Sequence, residues 1–118
     1  MTRTRIHGLE DARRALAAAA GAPVILDSPP GAAGLHGIGW WQALLRRLDE
    51  EFPGAPFEAV LDCGAAPGLA LAALAAGIGA VRVATGPEAL ARLRAVAAET
   101  GARVEDASAP GPTARGGS

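Results

Sequence analysis

Short apolar runs alternate along this chain with longer stretches in which apolar residues return every three or four positions. The first pattern is that of buried strands, the second that of helices with one core-facing stripe. Residues 23–27, 57–62 and 80–84 are the clearest strands, and Pro23 stands first in its run, where a missing N–H does little harm. Residues 2–7 predict a short first strand, with Arg3 and Arg5 alternating against Thr4 and Ile6, and residues 103–106 a last edge strand.

The helices fall between these runs. Residues 8–20 carry Leu9, Ala12, Leu16 and Ala19 on one stripe, with Glu10 and Asp11 in the first turn, where the helix dipole favours acids. Residues 39–52 present Trp41, Leu44, Leu45, Leu48 and Phe52 at core spacing. Trp40 lies about 100° round the helix from Trp41, so only one of the two points straight inward. A further helix enters through Thr85-Gly86-Pro87-Glu88 and runs to about Thr100, with Leu90, Leu93, Val96 and Ala97 inward. The helix over 67–76 has no polar side chain at all. A helix apolar on every side needs cover on every side. In a domain this small, the expected cover for its outer face is a second copy, which makes the protein a homodimer or another homo-oligomer.

Strand and helix alternate throughout, with crossovers of the length that parallel strands require. The predicted fold is therefore α/β: a single domain over residues 1–106, with four to five mainly parallel strands alternating with four helices. A flavodoxin-like open sheet and half of a βα barrel both fit. Residues 5–24 and 82–104 share one strand–helix–strand plan. Residues 107–118, rich in Pro, Gly and Ser, are expected to be a flexible tail. Right-handed crossovers bring the loops after Asp27, Asp62 and Ala84 to one edge, where α/β proteins build their sites.

Composition narrows the chemistry. Half the chain is hydrophobic yet only 3% is aromatic, so the core rests on Ala, Leu, Val and Ile. All basic residues are Arg, which excludes a Schiff-base lysine and a P-loop lysine. A net charge of −1 supplies no basic face for nucleic acid. The single Cys excludes an internal disulfide and a multi-cysteine metal site, and fits a reducing, cytoplasmic location. No apolar segment follows Met1–Arg5, so no signal peptide is expected. The uncharged stretch 65–81 is short for a membrane span and is broken by Pro67, Gly68, Gly77 and Gly79.

The candidate site begins with Asp27 and Asp62, each ending an apolar run just before a turn-rich loop. They read either as acid–base partners or ligand anchors, or as caps that accept backbone N–H bonds of the following turn. Ser28 reads as a ligand donor or as a turn-completing hydroxyl. Gly31, Gly34 and Gly37 form a loop able to wrap an anion, though the spacing matches neither a Walker loop nor a dinucleotide fingerprint. Thr85 and Gly86 offer a second helix entry to the same edge. His36, in the glycine-rich loop, reads either as an acid–base candidate or as a solvated side chain. Cys63 lies just before a helix, which lowers a thiol pKa, beside Asp62, which opposes that. No metal set and no particular cofactor are indicated.

Residues Ala72-Ala73-Leu74-Ala75-Ala76-Gly77-Ile78-Gly79-Ala80-Val81-Arg82-Val83, followed by Gly86-Pro87-Glu88-Ala89-Leu90 and Ala97-Ala98-Glu99-Thr100-Gly101-Ala102, resemble one βα unit of the KDPG-type aldolase barrels. The resemblance covers about a third of the chain, residues 72–104, and implies architecture: half a barrel, pairing with itself. The carbonyl-binding lysine of that family has no counterpart, so its activity does not carry over.

The leading expectation is a self-associating domain that binds a small anionic or phosphorylated ligand at the C-terminal edge of its sheet. The alternatives are a small lyase or hydrolase using Asp27 and Asp62, with His36, at a site shared between subunits, and a non-catalytic interaction module.

Overall fold

The computed structural model describes residues 1–108. The elements are β1 (Thr2–Arg5), α1 (Leu9–Ala19), β2 (Val24–Asp27), α2 (Ala32–Leu35), α3 (Ile38–Glu51), β3 (Phe57–Asp62), α4 (Pro67–Ala75), β4 (Ala80–Val83), α5 (Pro87–Ala98) and β5 (Arg103–Asp106). Every predicted strand forms, all neighbouring pairs are parallel, and the sheet is an open one of five strands. The α/β class expected from the apolar pattern is the fold observed. The tail expected over 107–118 lies, from residue 109 onward, outside the described residues.

One correction concerns the helix count, which is five rather than four among the described residues. The additional helix, α2, is a single turn inside the glycine-rich connection. Gly31 enters it at φ 67, and the Gly34 and Leu35 amides both donate to the Gly31 carbonyl at 3.1 Å. Ala32 and Ala33 are small enough to be buried at so tight a turn. Periodicity cannot reveal a helix shorter than two turns.

The strand order runs β1-β2-β3-β4-β5, each strand beside the next in sequence, as in successive units of a βα barrel. Right-handed crossovers between sequential neighbours put every helix on the same face. The core agrees: one cluster joins Leu16 of α1, Trp41 and Leu48 of α3, Leu74 of α4 and Leu93 of α5 to Leu26, Leu61 and Val81 of the strands. The shared plan of residues 5–24 and 82–104 is realised as β1–α1–β2 and β4–α5–β5, with helices of 11 and 12 residues.

The register sorts the remaining strand residues onto the helix-free face. Arg3 pairs with Ile25, Arg5 with Asp27, and Asp27 with Val60, while Asp62 pairs with Arg82 and Arg82 with Glu105. In a flat sheet the four intervals from β1 to β5 would span about 19 Å. Arg3 nevertheless bonds Glu105 directly. The sheet is therefore strongly curled, and its charged face is the concave one.

Helix α4 buries Ala70, Ala73 and Leu74 and leaves Gly68, Leu71, Ala72 and Ala75 exposed. Leu71, 47% exposed, stands beside an apolar groove of about 310 Å³ that continues to Ala89 and Val96 of α5. Among the described residues no helix is long and apolar enough to cross a membrane.

Candidate functional site

The concave face is where the two aspartates meet. Asp27 ends β2 and Asp62 ends β3, and both side chains line one depression of about 240 Å³. Arg3 grips Asp27 with two bonds, Nε to Oδ2 at 2.6 Å and Nη2 to Oδ1 at 2.8 Å. Such a fork is the strongest geometry available to a carboxylate. Asp62 is held differently. Its Oδ1 accepts the Gly31 and Gly64 amides at 2.9 and 2.8 Å, which pins the turns after β2 and β3 to each other. Gly64 sits at φ 61, and a Cβ there would lie 3.9 Å from the Gly31 Cα. The capping role expected of an Asp before a turn thus describes one oxygen of Asp62. Its Oδ2 faces Arg82 Nε at 3.6 Å.

Ser28 joins the same corner from below. Its Oγ accepts the Asp62 amide at 2.8 Å and donates to the Pro29 carbonyl at 3.1 Å, and the residue is 2% exposed. The hydroxyl replaces a ladder bond at the point where β2 turns away from β3. Both of its hydrogen-bonding functions are thereby occupied.

Around these residues runs a lattice of charges drawn from all five strands. Glu105 accepts from Arg3 on both oxygens and from Arg103 at 2.6 Å, and Arg103 also pairs with Glu58 at 2.6 Å. Burial pushes the Glu105 carboxyl up, but the Arg3 hydrogen bonds and the charges of Arg3, Arg103 and Arg82 outweigh it, so it lies below the usual carboxylate range. Arg3, held by Asp27 and Glu105, is raised further above the usual guanidinium value. Val60, 1% exposed, forms an apolar floor beneath the charges and stands outside the helix-side core. Arg82 has two distant partners, Asp62 at 3.6 Å and Glu105 at 3.8 Å. Arg5 lines the depression with no partner among the described residues.

Sequence reasoning missed Arg3, Arg5, Arg82 and Glu105 as members of this site. The clearest available signal is Arg82, a charge in the middle of an otherwise apolar strand. Alternating charges at Arg3 and Arg5, and at Arg103 and Glu105, are the second.

The other candidates lie elsewhere. His36 is exposed and stacks on Trp40, with ring centroids 4.7 Å apart. Cys63 is buried on the helix side, where burial and the Asp62 charge push its thiol up to about 11. The amides of Gly31, Gly34 and Gly37 donate to Asp62 Oδ1, the Gly31 carbonyl and the Ala33 carbonyl, so the glycine-rich connection satisfies itself. A Cβ on Gly34 would meet Leu69 Cδ1 at 3.5 Å, an ordinary packing contact. Gly86 begins α5 in extended backbone, without a side-chain cap from Thr85. None of these residues lines the depression, and they form no nucleophile–base pair with Asp27 or Asp62. Among the described residues no group of three or more His, Cys, Asp or Glu is placed to hold a metal ion.

A wider hollow, about 480 Å³, runs along the outer edge of β1 beside Ala15, Ala18 and Ala19 of α1. It is the groove left at the outer edge of β1, and Arg5 lies at its border with the depression of the two aspartates. No protein-family model matches the chain, and no curated protein matches it either.

Proposed function

We propose that this protein is a self-associating domain that binds a small anionic or phosphorylated ligand on the concave face of its sheet. The observation that carries this reading is Arg5, a guanidinium on the depression with no partner among the described residues. Of the three guanidinium groups on the depression, Arg3 is held by Asp27 and Glu105 and Arg82 stands between Asp62 and Glu105, which leaves Arg5. An anion is the missing partner. Arg82 assists, because neither of its contacts is within hydrogen-bond distance.

A second copy of the chain is the partner for the apolar face of α4, where Leu71 and the α4–α5 groove lie open. The mixed signs of the concave face favour a small ligand over nucleic acid, and the single buried thiol suits the cytoplasm. The sequential strand order and one-sided helices support the likeness to a barrel unit.

Calorimetry and thermal shift with inorganic phosphate test the ligand reading. Millimolar phosphate stabilises the wild type and does not stabilise Arg5→Gln. Equal shifts in both proteins, or none in the wild type, would refute it.

A further inference from the structure

The two oxygens of Asp62 have unequal surroundings. Oδ1 accepts both backbone amides of the paired turns. Oδ2 accepts no hydrogen bond among the described residues, since Arg82 Nε stands 3.6 Å away. The side chain is 17% exposed, and its opening is the depression it shares with Arg5. A bare anion placed on Arg5 would leave Oδ2 with no donor and add a like charge nearby.

Building on the anion reading above, we propose that the ligand of this site carries an O–H or N–H donor a few bonds from its anionic group. The anion rests on Arg5, the donor meets Asp62 Oδ2, and the connecting carbons lie over Val60. The register allows this span. Arg5 is level with Asp27 and Val60, and Asp62 stands two positions further along β3, so the two backbones are about 12 Å apart on the diagonal, a gap that both residues narrow by lining the one depression. Arg82, which shares long ion pairs with Asp62 and Glu105, adds a second positive charge beside the depression. Asp62 then determines specificity: it converts a repulsion into a hydrogen bond only for ligands that bring a donor.

Three probes of matched size isolate the donor: ethyl phosphate, 2-hydroxyethyl phosphate and 2-aminoethyl phosphate, titrated calorimetrically at one ionic strength. The wild type is expected to bind at least one donor-bearing probe about tenfold more tightly than ethyl phosphate, as a hydrogen bond to a charged group warrants. Preference for the hydroxyl or the amino probe identifies the donor. Asp62→Asn keeps an oxygen for the Gly31 and Gly64 amides but puts an NH₂ in place of Oδ2. It is expected to erase the preference between donor-bearing and donor-free probes. Equal affinity of all three probes for the wild type overturns the donor, and the anion site survives. A preference that persists in Asp62→Asn removes Asp62 from the role. Failure of all three probes to bind overturns the anion site itself, and the wild-type comparison needs no variant to fold.

Discussion

Arg3 donates to Glu105 from Nη2 to Oε1 at 2.6 Å and from Nη1 to Oε2 at 3.1 Å, joining the first strand of the sheet to the last across its concave face. The same guanidinium holds Asp27 of the neighbouring strand. One side chain therefore ties three strands and helps hold the curl that makes a depression of an open sheet.

Removing that tie is expected to cost more than a typical surface ion pair. Arg3→Gln leaves Asp27 and Glu105, each 18% exposed, without their main donor. A loss of about 1–3 kcal/mol follows for partly buried carboxylates stripped of charged hydrogen bonds. Urea unfolding measures it, and hydrogen exchange should show faster opening of the β1 amides. A change within a few tenths of a kcal/mol would mean that the apolar core alone sets the curl.

Acid should weaken the same lattice. The folded protein holds the Glu105 carboxyl below its ordinary value, so the fold favours the ionised form. That stability is fully present above the ordinary carboxylate pKa of about 4.3 and is lost as pH falls through the lower folded value. The melting temperature should decline below about pH 5. In Glu105→Gln the decline should be shallower, although the starting stability is lower. Equal slopes in the two proteins would assign the acid sensitivity to other carboxylates, such as Glu51, which Arg13 holds down.

How much of this was legible in advance depends on what each residue's role required. Strand β3 could be read to the residue, because Phe57–Asp62 is an apolar run ended by a turn-forming Asp. Trp41 could be placed in the core and Trp40 beside it, because helix geometry alone separates them. The Arg3–Glu105 pair could not be read. Its partners stand 102 positions apart, and they meet only because the sheet curls, a property of the assembled strands. Arg5 and Arg82 are visible as charges within their strands, but that they share one face with the two aspartates follows only from the register of the assembled strands. Ser28 and Gly31, which the sequence offers as ligand donors or as turn residues, lie against Asp62, and their hydrogen bonds serve the turns.

Cys63 should be inert in the native protein. Burial first, and the Asp62 charge second, push its thiol up to about 11, so almost none is thiolate near neutral pH. Native protein is expected to resist a thiol reagent such as iodoacetamide at pH 7.5 and to react fully once unfolded in urea. Rapid native labelling would show that the helix side of β3 opens far more readily than its packing implies.

The outer face of α4 provides the test of self-association. Gly68, Leu71, Ala72 and Ala75 are exposed, and no residue of the helix carries a charge. Small side chains allow a second helix to approach closely, and Leu71 supplies the projection that the α4–α5 groove can receive. Light scattering after gel filtration should therefore give a dimer at micromolar concentration. Leu71→Arg should give a monomer, because two such guanidinium groups would be buried at the contact beside the like charge of Arg92. The substituted position faces outward, so circular dichroism and the phosphate response of Arg5 should be unchanged. If the wild type is itself a monomer at that concentration, the apolar face of α4 is not a contact between copies, and the self-associating part of the proposed function fails while the anion site stands.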